Sequence, residues 1–312
     1  MEKRLCRICE AEVKADYLFR EMMFGTREEF EYGKCRKCGC IQIINVPDDI
    51  GRHYPPYYMS FNQHITPLKR LPFFKRLFSN IRIAKKYKTS DSWALNLLKP
   101  LRTNTGARIL DIGCGRGQLI CSLFNLGFEH VNGVDKFLPH DIDHGFGVKV
   151  YNKELSDLPS NSYDLLIMHH VFEHVDEQVQ QLQECYRLLK KGGVLLIAVP
   201  VLGEPWEIYG RDWVQIDAPR HFVLHTEESM KQVAEQAGFK LNKAIYDSTG
   251  FQFWASELYK RDNPLTLPDT HEMYPIDTLF SAAQMAEFEQ RAKVLNEKRK
   301  GDSARFYLYK DQ

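Results

Sequence analysis

The tightest constraint on this 312-residue chain is a glycine turn. The short apolar run at residues 108–111 (RILD) leads into Gly113, Cys114, Gly115, Arg116 and Gly117. Such a run predicts a strand that bends sharply into a helix, with glycines letting the backbone approach a ligand. Three more apolar runs follow, at residues 131–135 (VNGVD), 163–168 (YDLLIM) and 194–199 (VLLIAV). A helix is expected between the last two. Asp176 can cap it, Val179, Leu182, Tyr186 and Leu189 mark its apolar face, and Gly192-Gly193 ends it. Another helix should begin at Thr226, with Glu227 and Glu228 in its first turn, and stop by Gly238. Residues 262–302 are polar and partly helical between 281 and 300, and residues 305–309 (RFYLY) read as a strand returning to the sheet. Strands alternating with helices predict an α/β protein, doubly wound around a mostly parallel sheet.

The glycine spacing narrows the ligand. A dinucleotide fingerprint places its third glycine five positions after the first, where this chain has Gln118; the third glycine comes one earlier, at Gly117. Asp111, just before the turn, would repel a pyrophosphate but suits a ligand carrying an ammonium and a sulfonium, as S-adenosylmethionine does. The segment LDIGCGRG resembles the first motif of the class I, seven-strand, Rossmann-like methyltransferases that depend on S-adenosylmethionine. SYDLLIMHHVFEHV and LLKKGGVLLIAVP resemble their fourth- and fifth-strand signatures, and the likeness covers residues 105–260. The resemblance implies that Asp111, Gly113, Cys114, Gly115 and Gly117 surround the methionine part of the cofactor. It implies that Asp135, 24 residues after Asp111, accepts from the ribose hydroxyls. Glu154 and Leu155 would flank the adenine and His169 would touch the cofactor, while Glu173 is assigned a structural role.

Five of the eight cysteines fall in the first 40 residues. Cys6-x2-Cys9 and Cys35-x2-Cys38 form two knuckles, each offering one edge of a tetrahedron, and four thiolates make a closed structural zinc site. Cys40 stands beside them as a spare thiol or competing ligand. A segment this small has little core of its own, so metal would be its main source of stability. A zinc ribbon ahead of such a domain resembles the sugar C-methyltransferase group and related enzymes of polysaccharide and natural-product clusters. The motif WVQIDAPRHFVLHT continues that likeness with one departure: where the group carries Glu-His, this chain has Arg220-His221. Arg220 could then bind an anionic substrate. His221, with His174 second, is the expected general base, and Tyr58 of the Tyr-rich loop is expected to fold over the cleft.

Three regions are therefore expected: a ribbon at 1–46, a Tyr-rich loop and basic helical connector at 47–90, and a catalytic domain at 91–312 with an insert at 262–302. The formal net charge of +1 offers no global field for nucleic acid. It conceals residues 68–88, with eight Lys or Arg and no acid, where Leu71, Phe74, Phe78 and Ile81 recur at helical spacing. That helix could cap the fold, recognise a phosphorylated acceptor, or meet an anionic membrane peripherally. The N-terminus carries no apolar signal-peptide core, so a cytoplasmic setting is expected. The expected activity is methyl transfer from S-adenosylmethionine to a small polar acceptor, a sugar, nucleotide sugar or anionic metabolite. RNA or protein methylation, and a non-catalytic cofactor-binding scaffold, remain as alternatives.

Overall fold

A computed structural model describes residues 4–58, 61 and 64–311. The Tyr-rich segment is therefore covered except at 59, 60, 62 and 63, which lie outside the described residues. The ribbon contributes β1 (Tyr17–Arg20), β2 (Glu29–Lys34) and β3 (Ile41–Ile43). The catalytic region adds β4 (Arg108–Ile112), β5 (His130–Val134), β6 (Ile142–Gly145), β7 (Val148–Tyr151) and β8 (Tyr163–His169). It continues with β9 (Leu189–Pro200), β10 (Val223–Leu224), β11 (Lys240–Tyr246) and β12 (Ser303–Tyr309).

The main sheet runs β11-β12-β9-β8-β4-β5-β7-β6. The pairs β4–β5, β4–β8, β5–β7 and β8–β9 are parallel, and β6, β11 and β12 join antiparallel. This is the Rossmann-like methyltransferase architecture, with eight strands where seven were expected. The extra strand comes from a hairpin at β6–β7, turned by Gly145, Phe146 and Gly147, all at positive φ. The central strands are apolar on both faces. Leu110, Ile112, Leu166, Met168, Leu195 and Ile197 pack to one side; Ile109, Leu165, Ile167, Leu196 and Ala198 pack to the other. Burial on both sides is what a parallel sheet covered by helices requires.

Expected helices appear at Gln178–Leu188, Glu227–Gln236 and Ala282–Glu297. Thr226 and Ser281 cap the last two through capping boxes. The first gives way to β9 at Leu189, before the glycine pair expected to end it. The basic segment needs a correction. It forms two helices, Phe73–Leu77 and Ser79–Thr89, interrupted at Phe78, and it turns the expected apolar stripe outward. Phe74, Phe78 and Ile81 are exposed, while Ile83 and Tyr87, four residues apart, make the buried face. The Tyr87 hydroxyl donates to the Thr103 carbonyl at 2.8 Å. No helix among the described residues is long and apolar enough to cross a membrane.

The ribbon is not a free appendage. Its sheet runs β1-β2-β3-β10, so it closes on a strand of the catalytic region. The Thr226 hydroxyl donates to the Cys38 carbonyl at 2.9 Å and the Gln236 amide to the Ile8 carbonyl at 2.7 Å.

Candidate functional site

The strand order reverses on either side of β4, and ligands of such sheets bind where the carboxyl ends of the strands part. There lies a cleft of about 580 Å³. β4 delivers Asp111 and Gly113 to it. Gly113 has φ +66°, and a Cβ there would come within 2.7 Å of Val171, so both conformation and space call for glycine. Gly117, at φ +89°, starts the helix Gln118–Leu126. Asp111 is 4% exposed, and among the described residues no Lys or Arg pairs with it. Burial, with Asp135 nearby, pushes its carboxyl well above the ordinary range. A cationic ligand would reverse that shift, so the site suits an ammonium better than a phosphate.

Asp135 follows β5 as expected. Its two carboxylate oxygens accept from the Gly115 and Phe137 N–H groups, at 2.9 and 3.0 Å. Each keeps a second lone pair for a diol. Asp135, Glu154, Leu155, Gly115 and Gly117 lie outside the cleft lining, while Asp111, Gly113, Cys114 and His169 are in it. Glu154 caps a short helical turn (Leu155–Asp157) in an exposed position, and Leu155 is buried. Burial lowers the His169 imidazole to about 3, so it is neutral; it leans on Trp93 with ring centres 5.8 Å apart.

The other side of the cleft gathers distant segments. His174 and Glu173 follow β8, and His221 and Asp217 come from the loop before β10. Tyr58 lines the cleft from the Tyr-rich loop, as expected, and Asp302 and Ser303 reach it from the start of β12. The His174 and His221 rings are 4.9 Å apart. Nδ1 of His221 lies 2.8 Å from the Gln215 carbonyl, and Nδ1 of His174 lies 2.8 Å from the Arg220 carbonyl. A carbonyl only accepts, so both Nδ1 atoms carry protons and donate them. With Nδ1 protonated, Nε2 of each ring is the atom left to carry a lone pair. Burial lowers His174 to about 4, which keeps that ring neutral near pH 7.

Arg220 corrects the sequence reading. It is fully buried and does not line the cleft. Its Nε donates to Asp217 at 3.0 Å, and Nη2 donates to Asp217 at 2.5 Å and to Glu21 of the ribbon at 2.8 Å. Nη1 donates to the His53 carbonyl at 3.2 Å, so the guanidinium is spent on the fold and none of it meets a substrate. The Tyr32 hydroxyl donates to the His221 carbonyl at 3.0 Å, a second strut from the ribbon to this loop. Glu173, assigned a structural role, also lines the cleft; its buried carboxylate pairs with His170 Nδ1 at 3.3 Å, and neither oxygen accepts a well-formed hydrogen bond among the described residues. Its place beside His174 in the sequence was the available signal. Asp217 stood four residues before His221 in the motif WVQIDAPRHFVLHT; Asp302 had no signal, because only the fold brings it here. Among the described residues no Lys or Arg lines the cleft, against five acids: Asp111, Glu173, Asp217, Asp247 and Asp302. The basic segment borders a different cavity, lined by Arg70, Arg76, Arg108 and His130 at the amino ends of the strands, so it does not serve this cleft.

The four cysteines Cys6, Cys9, Cys35 and Cys38 bring their sulfurs within 4.8 Å of one another. The Cys6–Cys38 and Cys9–Cys35 separations are 3.6 and 3.5 Å. Zn–S bonds of about 2.3 Å in a tetrahedron need sulfurs about 3.8 Å apart, so the group suits zinc. Cys40 lies against one edge, 3.6 Å from Cys6 and 3.5 Å from Cys38.

The chain resembles known methyltransferases. A ubiquinone biosynthesis O-methyltransferase of Maricaulis maris is 32% identical over 163 residues, 45% of this chain and 61% of its own length. A protein of Mycolicibacterium smegmatis described as a probable S-adenosylmethionine-dependent methyltransferase is 33% identical over 156 residues, 45% of this chain and 54% of its own. The chain thus spans less than two thirds of these relatives. A crystal structure of a SAM dependent methyltransferase from Archaeoglobus fulgidus aligns at 18% identity, covering 76% of this chain and 98% of that one, with a TM-score of 0.41. Residues 86–244, half of the chain, match the family model described as a methyltransferase domain, and the chain belongs to that family.

Proposed function

We propose that this protein transfers the methyl group of S-adenosylmethionine to a small, hydroxyl-rich neutral acceptor such as a sugar. The observation that carries this reading is the buried, cation-seeking Asp111 in the same cleft as the His174–His221 pair. Bound S-adenosylmethionine supplies an activated methyl carbon. The chain's own residues would do the rest. Asp111 holds the ammonium, the backbone around Gly113 and Gly115 lies along the methionine part, and Asp135 receives the ribose. Residues 154 and 155 flank the adenine, and neutral His169 borders the sulfonium. Much of methyl transfer is alignment of nucleophile, carbon and sulfur, which a walled cleft provides. His221, whose Nε2 lone pair faces the cleft, would accept the proton of the acceptor hydroxyl, with His174 beside it and Tyr58 covering the acceptor.

The sugar reading rests on the lining. The carboxylates of Glu173, Asp247 and Asp302 and the hydroxyls of Ser248, Thr249 and Ser303 can receive hydroxyl groups, and among the described residues no Lys or Arg lines the cleft to hold a phosphate. Zinc in the four-cysteine group would hold the ribbon against the loop that carries His221. Calorimetry with S-adenosylhomocysteine, followed by incubation of metabolite extract with methyl-labelled cofactor, tests the proposal. Saturable binding and label in a neutral glycoside are the expected results. Absence of cofactor binding to the zinc-loaded chain would overturn it, and label only in RNA would replace the acceptor assignment.

A further inference from the structure

The acceptor side holds a group that base chemistry alone does not use. Glu173 is 1% exposed, and neither carboxylate oxygen accepts a hydrogen bond. His170 Nδ1 approaches Oε1 at 3.3 Å, and His221 Nε2 stands 4.0 Å from the same oxygen, too far for a hydrogen bond. The Nε2 atoms of His174 and His221 are lone-pair donors, because each ring gives its Nδ1 proton to a backbone carbonyl. Three residues that can each offer one ligand atom, among them a buried carboxylate whose Oε1 faces His170 and whose Oε2 has no partner among the described residues, thus converge within 4.8 Å. The nearest guanidinium, Arg220, is consumed by Asp217 and Glu21.

We propose that Glu173, His174 and His221 form a second metal site, for a divalent first-row transition ion. Two imidazoles and one carboxylate favour such an ion over magnesium or calcium, which prefer oxygen ligands throughout. The carbonyls of Gln215 and Arg220 play the outer-shell part, fixing tautomer and ring orientation as metal-bound histidines require. An ion about 2.1 Å from each donor would close the gap that hydrogen bonding leaves open. Three protein ligands leave positions open toward the cleft, where two neighbouring hydroxyls of the acceptor can bind. The inference rests on the cleft being the acceptor site and revises one role in it: in the loaded protein the Nε2 lone pair of His221 is a ligand, so the acceptor oxygen meets the ion and His221 is not the base.

Cobalt(II) is the probe, titrated into the full chain with zinc already in the ribbon. Visible absorption reports a nitrogen–oxygen site, near-ultraviolet sulfur charge transfer reports exchange into the cysteine group, and metal analysis counts both ions. The expected result is one cobalt per chain with the zinc retained, and affinity at least about tenfold weaker in Glu173→Gln and His221→Asn. Circular dichroism and S-adenosylhomocysteine calorimetry on the same samples show that the variants are folded. No second ion in the parent chain, or equal cobalt affinity in folded Glu173→Gln, would overturn the site. Failure of cofactor binding alone would instead remove the proposed function and leave the cobalt result standing.

Discussion

Asp111 and His221 line the same cleft, but the chain brings them there by different means. The cofactor side is local. Asp111, the glycine turn and Asp135 come from one strand–turn–helix–strand unit of under 30 residues, and the parallel register of β4 and β5 aligns them. The acceptor side is assembled at long range. His221 sits on a loop strutted by Tyr32 and, through Arg220, by Glu21, both from the ribbon. Tyr58 arrives from the connector and Asp302 from the last strand. A local unit tolerates the loss of distant contacts, and an assembled one does not. The two sides should therefore separate experimentally.

The largest separation is expected from His221→Asn. Loss of a positioned proton acceptor or ligand should lower kcat by about 10²- to 10⁴-fold. S-adenosylhomocysteine affinity, read by calorimetry, should stay within about twofold, because the neighbours recorded for the ring, His174, Glu173, Asp217 and the Gln215 carbonyl, belong to the acceptor side. Equal loss of cofactor binding would show that the two sides are one cooperative unit.

The same contrast explains what could be read from the sequence. The glycine turn, the central strands along the chain, the helix starting at Thr226 and the helical stretch at 281–300 were legible, because short-range spacing and capping chemistry produce them. The cysteine spacing likewise pointed to a group that the fold does assemble. Arg220 was misread because a lone arginine in a loop looks like a substrate clamp; only the fold shows Glu21, 199 residues away, against it. The stripe of Phe74, Phe78 and Ile81 was misread for a related reason. Its helical periodicity was real, but Ile83 and Tyr87 face Thr103 and the core, and they decide which side turns inward.

Arg220→Met tests the strut directly. It leaves Glu21 and Asp217 as buried, unpaired carboxylates and should cost about 3–5 kcal/mol in urea unfolding. If the four-cysteine group holds zinc as proposed, its chelation should act in the same direction, because that group anchors the segment that carries Glu21 and Tyr32. If the acceptor side is the fragile one, mild chelation abolishes methyl transfer while the β4–β5 unit still binds S-adenosylhomocysteine. Loss of both together would place the ribbon in the core of the whole molecule.

Asp302 gives the acceptor side a pH signature in stability. Burial raises its carboxyl to about 6, against the pull of the Trp213 Nε1 donor at 2.9 Å, from an ordinary value of 3.8. Between those two values the folded state holds a proton that the unfolded chain has released. The group's stabilising contribution is thus present below pH 3.8 and lost as pH rises through 6, a swing of about 3 kcal/mol. Asp302→Asn keeps an acceptor for Trp213 and cannot ionise. The variant should lack this downward slope in urea-unfolding free energy across pH 4–6. An unchanged slope would assign the pH dependence to other groups.

The smallest effect should come from Asp111→Asn, and its location matters more than its size. The carboxylate is expected to make one charge-assisted contact with the cofactor ammonium, worth about 1.5–3 kcal/mol, or roughly ten- to hundredfold in affinity. The amide keeps the shape, and it removes a buried charge that the ligand-free fold bears at a cost. The variant should therefore unfold at a urea concentration equal to or higher than the parent's, while binding S-adenosylhomocysteine more weakly. That opposite movement of stability and affinity is the mark of a residue strained for its ligand. A variant that loses both would make Asp111 a structural residue of β4, and the local side of the cleft would then need another anchor for the ammonium.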